Sequence, residues 1–290
     1  MKEEQQGRPY VILDIDGVVN SFSNKLFYAS FAYHAMHELA KLKSRKELIK
    51  GFSKLKKMGG SNALFRFAKE FCGDEATFQK YRHNLFLRLN FNLVKSDPSL
   101  REFIKRLGSY SDVIIRTDGL GEVAYGVWQR IMKDETSAKI KVDLLDSQAS
   151  LSKKIPFMNT TLQISDIVEN GLRTKAEGKE SWLDFADRYK INLSESVLID
   201  DSQNNCHVAK ELGMTVVKIS RLDSFLESSP FKDMMHKSLP DVLGIRMSHA
   251  LNKLSINYGE KVDVKTLFQT LLKTPVSEIL RNKSQKRSKG

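Results

Sequence analysis

Tyr10-Val11-Ile12-Leu13-Asp14-Ile15-Asp16-Gly17 decides how this 290-residue chain is read. Four apolar residues run into two carboxylates spaced two apart, and then a glycine. A short apolar run of this kind predicts a strand buried on both faces, as in a parallel sheet. A strand ending in Asp-x-Asp-Gly sets two acids at the carboxyl edge of a sheet, where open α/β folds keep their active sites. Carboxylates there are costly without a partner. A divalent cation such as Mg²⁺, which takes carboxylate and carbonyl oxygens, would supply one. The plain alternative is a strand followed by an Asp-rich turn, and the segments downstream decide between the two.

Val113-Ile114-Ile115-Arg116-Thr117 predicts a second buried strand, ending in a hydroxyl residue and Asp118-Gly119. Val197-Leu198-Ile199-Asp200-Asp201 repeats the pattern of an apolar strand that ends in acids. Ile140–Leu145 and Val216–Ile219 read as further strands, while Lys153–Val168 has no clear period. Helices are expected from Ser96-Asp97-Pro98 to Leu107, with an acid at the N-cap and proline in the first turn, and over Glu122–Lys133 and Glu180–Tyr189. Strands alternating with helices predict an α/β fold built on a doubly wound parallel sheet.

From Phe22 to Phe91 the apolar period is helical, with expected helices over Arg45–Lys57, Asn62–Phe71 and Glu75–Leu89. Half of the chain's aromatic residues lie in this stretch, enough for it to build an apolar cluster of its own. It reads as an inserted helical cap. A basic run from Lys41 to Lys57 within it is either a solvated helix face or a lure for an acidic substrate. The expected organisation is a catalytic core of 8–20 and 97–220, a cap of 21–96 and a helical C-terminal extension of 221–290.

Cys72 and Cys206 are the only cysteines, which points to a reducing compartment rather than a disulfide framework. The first residues carry no apolar run of the kind a signal peptide needs. The net charge is +12. From Arg221 onward there are 13 Lys/Arg against 7 Asp/Glu, and Arg281–Lys289 holds no acid. A basic end of this kind, behind amphipathic helices expected at Leu239–Leu254 and Val264–Leu272, suits an anionic membrane or an acidic partner. No base-reading motif supports a nucleic-acid partner.

In order along the chain stand Asp14-x-Asp16, Thr117, a lysine before a helix, and Asp200-Asp201. Ser202-Gln203-Asn204-Asn205, Ala209 and Leu212-Gly213-Met214 follow the last pair. This series resembles the haloacid dehalogenase superfamily, specifically its aspartate-nucleophile phosphatases, over roughly Pro9–Ile219. The resemblance implies Asp14 as nucleophile, Asp16 as general acid and base, and Thr117 as donor to a phosphoryl oxygen. It implies a lysine that neutralises charge, with Lys179 the first choice and Lys175 its rival. Asp14, Asp16, Asp200 and Asp201 would hold Mg²⁺, Asn205 would hydrogen-bond the metal loop, and Gly17 and Asp118 would lie against the substrate phosphate. An insert between the first two motifs implies a cap of the first type, which selects the substrate.

The expected function is a Mg²⁺-dependent phosphomonoester hydrolase acting on a small phosphometabolite or a phosphoprotein, with a phosphotyrosyl ring among the substrates considered. The alternatives are a phosphotransferase or phosphomutase on the same site, or a binding module with an idle site that docks through its basic C-terminus. The expected location is cytoplasmic. Lysine- and serine-rich composition with a basic end also resembles effectors that intracellular bacteria inject into host cells, which implies peripheral membrane association there.

Overall fold

The structure, a computed structural model, describes residues 7–20, 24–44, 46–51, 63–95, 98–132, 142–144, 167–169, 173–219, 253–255 and 263–273. The strands are β1 (Tyr10–Leu13), β2 (Asp112–Thr117), β3 (Val142–Leu144), β4 (Ile167–Glu169), β5 (Val197–Asp200) and β6 (Thr215–Lys218). They form one sheet in the order β3-β4-β2-β1-β5-β6. The β1–β5, β5–β6, β2–β4 and β3–β4 pairings are parallel. The order reverses at β1, whose neighbours are β2 and β5, so the switch point of an open α/β sheet falls beside β1. β4 falls at the end of the stretch whose sequence has no clear period.

Two compact units make up the chain. The first takes residues 1–13, 97–114 and 182–290. Its centre is β1 beside β5, with Val11, Ile12, Val197 and Leu198 all fully buried. α4 (Pro98–Tyr110) begins on Pro98, where a missing N–H costs nothing, and buries Leu100, Phe103, Ile104 and Leu107 at helical spacing. α6 (Lys179–Tyr189) buries Trp182 and Phe185 from the same unit, their rings edge to face at 6.0 Å. α7 (Gln203–Glu211) packs on β5 and β6. α8 (Val264–Lys273) buries Leu267 and Phe268 and packs on the same two strands, and Lys265 Nζ donates to Ser194 O at 2.9 Å. The other expected C-terminal helix and the basic tail lie outside the described residues.

The second unit takes residues 14–96 and 115–181. It contains the helical insert: α1 (Lys25–Ala40), a helical turn over 46–51, α2 (Ala63–Cys72) and α3 (Glu75–Arg88). The expected helix at Arg45–Lys57 is described only over 46–51. Asp74 caps α3, its carboxylate accepting from Thr77 N at 2.8 Å. Leu39, Phe65, Phe67, Phe71, Phe78 and Leu85 form a shared core, as the aromatic density predicts. Burial pushes the Cys72 thiol in that core up to about 11.

α5 (Gly121–Met132) follows β2 in the same unit. It packs on β3 and β4, and on the turn at Phe91–Leu93. Gly126 permits that last contact, because a Cβ there would lie 2.3 Å from the Phe91 ring. α5 is also tied to α3 through a buried ion pair. Arg82 Nε donates to Glu122 Oε1 at 2.9 Å and Nη2 to Oε2 at 2.6 Å, with both residues almost without exposure. The guanidinium also stands over the Phe65 and Phe78 rings. Among the described residues no helix is long and apolar enough to cross a membrane.

Breaking a buried pair from one side leaves the other charge uncompensated. Arg82→Met is therefore expected to lower the unfolding free energy by about 3–5 kcal/mol. Urea denaturation reads this as a lower midpoint, and a loss below about 1 kcal/mol would mean that the pair is solvated as a surface pair is.

Candidate active site

Asp14 directly follows β1, and its side chain is nearly buried. Lys175 Nζ donates to Asp14 Oδ1 at 2.7 Å and to the Arg116 carbonyl at 3.1 Å, from a side chain only 1% exposed. An ammonium and a carboxylate buried together offset much of the cost of removing either from water. Of the two candidate lysines, Lys175 meets Asp14, while Lys179 is exposed at the first turn of α6.

The loop that carries Lys175 is built from several directions. Asp118 Oδ1 accepts from Lys175 N at 3.0 Å. The Asp118 carboxylate thus positions this loop. Thr174 N donates to Glu177 Oε2 at 3.1 Å, and Gly178 takes φ +120°, a conformation that suits glycine. Arg116, fully buried in β2, donates through Nη2 to Ser181 O at 2.9 Å and Ser181 Oγ at 2.6 Å. An arginine in an apolar strand thus fastens the head of α6.

Asp16 sits where the chain turns sharply. Gly17 has φ 83° and donates its N–H to Asn20 O at 2.8 Å, while Asn20 N returns to Ile15 O. The Gly17 N–H is thus engaged in the turn. Tyr28 on α1 donates its hydroxyl to Asp16 Oδ1 at 2.8 Å and accepts from Asn20 Nδ2 at 3.0 Å. Asn24 Nδ2 donates to Asn20 Oδ1 at 2.7 Å, and Asn24 Oδ1 accepts from Lys95 N at 3.2 Å. One chain of hydrogen bonds therefore joins Asp16 to both ends of the insert. Sequence reasoning passes over Tyr28, because one more aromatic in an aromatic helix looks like core. Its only local signal is a phenol twelve residues past an acid.

Thr117 ends β2 and is buried, and its Oγ1 accepts from Gly119 N at 3.0 Å. The hydroxyl keeps its own proton to donate elsewhere. Gly119 lies beside two side-chain oxygens, since a Cβ there would stand 3.4 Å from Thr117 Oγ1 and 3.7 Å from Asp16 Oδ2.

At the end of β5, Asp200 is fully buried and held on several sides. Ser202 N donates to its Oδ1 at 2.8 Å, and Asn205 Nδ2 reaches Oδ1 at 3.2 Å and Oδ2 at 3.0 Å. Asn205 thus hydrogen-bonds both oxygens of the Asp200 carboxylate, and Ser202 caps α7. Leu13 pairs with Ile199, and the next residue on each strand is an aspartate, Asp14 on one and Asp200 on the other.

No protein-family model matches this chain. No curated protein matches it either. Solved structures are similar to it. The Unknown transcript 4 protein of Saccharomyces cerevisiae is 15% identical, over 74% of this chain and 90% of its own, with a TM-score of 0.42. An aspartate-to-alanine mutant of a HAD-family enzyme of Bacteroides thetaiotaomicron, in complex with magnesium and inorganic phosphate, is 14% identical over 79% of this chain and 100% of its own, with a TM-score of 0.34. A haloacid dehalogenase-like family hydrolase of Xanthomonas campestris is 11% identical over 77% and 86%, with a TM-score of 0.39. With every TM-score below one half, these likenesses carry no weight for activity, and what the site can do rests on its own residues.

The two lysines make a direct contrast. Lys175→Met removes the ammonium on Asp14 and is expected to cost roughly 3 kcal/mol of stability. Lys179→Met, at an exposed position, should stay within about 0.5 kcal/mol of the parent. Urea midpoints at one pH compare them, and equal losses would mean that Lys175 is not the partner of Asp14.

Proposed function

We propose that this chain is a Mg²⁺-dependent phosphomonoester hydrolase of the haloacid dehalogenase superfamily, working through an aspartyl-phosphate. The observation that carries the reading is the Lys175 ammonium on Asp14 Oδ1, with a second acid, Asp16, two residues on. A carboxylate held ionised by a buried cation is a nucleophile fixed in one direction. The family's dehalogenases generally lack the second acid, so Asp16 favours phosphate chemistry.

Asp14, Asp200 and Asp201 are the acids we assign to the cation, together with the Asp16 carbonyl. An all-oxygen donor set of this kind fits Mg²⁺. The register supports the assignment, because β1 and β5 are paired neighbours and each runs into an aspartate. Bound there, the ion would offset the negative charge of a phosphate brought among carboxylates.

In the first half-reaction an Asp14 oxygen attacks phosphorus, the ester P–O bond breaks, and Asp16 gives its proton to the departing alkoxide. In the second, Asp16 takes a proton from water, the water oxygen attacks phosphorus, and the Asp14–phosphorus bond breaks to release phosphate. Lys175 holds Asp14 in place throughout, and Thr117 donates to a phosphoryl oxygen. Tyr28 orients Asp16 from the insert. The substrate is a small phosphometabolite or a phosphoprotein.

Phosphate release from a panel of monoesters tests this. It should need Mg²⁺, stop with EDTA, and fall to background in Asp14→Asn. Asp16→Asn should lower kcat by about 10²–10⁴-fold. Tyr28→Phe, a change in a positioning residue, should lower kcat by about tenfold with little change in KM and an unchanged urea midpoint, the last separating it from a loss of folded protein, which would also lower apparent kcat alone. Release that survives in Asp14→Asn would end the aspartyl-phosphate reading.

A further inference from the structure

A cavity of about 710 Å³, counting the part open to solvent, lies within the second unit. Asp16, Thr117 and Asp118 supply its acidic and hydroxyl end. The rest of its wall is apolar, with Phe27 and Phe31 from α1, Leu64 and Phe65 from α2, and Leu120 and Val123 ahead of and on α5. Tyr81 adds a phenol whose pKa burial drives well above the usual range, so it contributes a ring and no charge.

Among the described residues that line the cavity there is no lysine, arginine or histidine. Arg82, whose guanidinium stands over Phe65, has its fork engaged with Glu122. Against the described lining, a second phosphate or carboxylate on a substrate would meet apolar walls and two carboxylates. The hydroxyls of a sugar would lose water and find few donors or acceptors in exchange. An apolar ring would instead gain contact with the edges and faces of five aromatic side chains, Tyr28 of α1 among them.

We propose, resting on the hydrolase reading above, that this pocket selects phosphomonoesters whose alcohol part is one ring-sized apolar group with no second charge. Asp16 and Thr117 then meet the phosphate end, and the helices of the insert hold the ring. Specificity arises because polyhydroxylated and doubly phosphorylated alcohols leave polar groups unpaired in the same space.

The test compares esters with matched leaving groups, so that chemistry is held equal and only the pocket differs. Cyclohexylmethyl phosphate is set against glucose phosphorylated on its primary hydroxyl, and both against a hexose bisphosphate, with Mg²⁺, in the full chain. The expected result is a kcat/KM at least about a hundredfold higher for the cyclohexylmethyl ester. Leu64→Lys, which puts a cation into a half-buried position of the wall, should shift the ratio toward the bisphosphate by about tenfold. Mg²⁺- and Asp14-dependent release that is equal or faster from the sugar esters overturns the proposal and leaves the hydrolase reading standing. If Leu64→Lys fails to fold, the wild-type ratio alone decides. Absence of release from every ester overturns the hydrolase reading, and the substrate class with it.

Discussion

The ion pair between Lys175 and Asp14 is the constraint around which the site is arranged. A carboxylate at the edge of a buried parallel strand is expensive, and a buried ammonium alone is equally so; at 2.7 Å each offsets the other. Much of the surrounding polar structure serves to deliver that ammonium. The Asp118 carboxylate grips the backbone of Lys175, the Arg116 carbonyl takes a second donor from its side chain, and the Arg116 guanidinium clamps Ser181 just beyond the loop. Buried polar networks of this kind repay their desolvation when their members are satisfied, and they then hold one geometry.

The insert contributes both a wall and a hand on the chemistry. Its helices share an aromatic core, and Arg82 locks α3 to α5 through Glu122. Tyr28 reaches from α1 to Asp16, and Asn20 and Asn24 carry the connection on to Lys95 at the far end of the insert. The group proposed to handle protons is thus oriented by the element that forms the pocket wall. A shift of α1 would be felt at Asp16 through a single hydrogen bond.

Two residues beside the motifs show what the fold adds. Gly17 gives its N–H to a tight turn, and Asp118 gives its carboxylate to the Lys175 backbone N–H. The Asp118 partner lies 57 positions along the chain, so no local pattern announces it. Asn205, by contrast, was legible, because its amide has an acid five residues back, at the end of the strand before its helix.

Five of the six described strands, the acids that end two of them and a helical insert with a core of its own were legible in the sequence, while β4 fell in a stretch without a clear period. Those features follow from local periodicity and composition, which neighbouring residues carry between them. The sequence could also bring the choice of lysine down to two. Which of them reaches Asp14 is a property of the folded chain, because Lys175 and Lys179 differ by four positions in one loop and helix start, and no local pattern says which side chain is buried. Tyr28 on Asp16 and Arg82 on Glu122 were invisible for the same reason. Such pairings depend on which surfaces the fold brings together, and solvent exclusion at those surfaces gives them their strength.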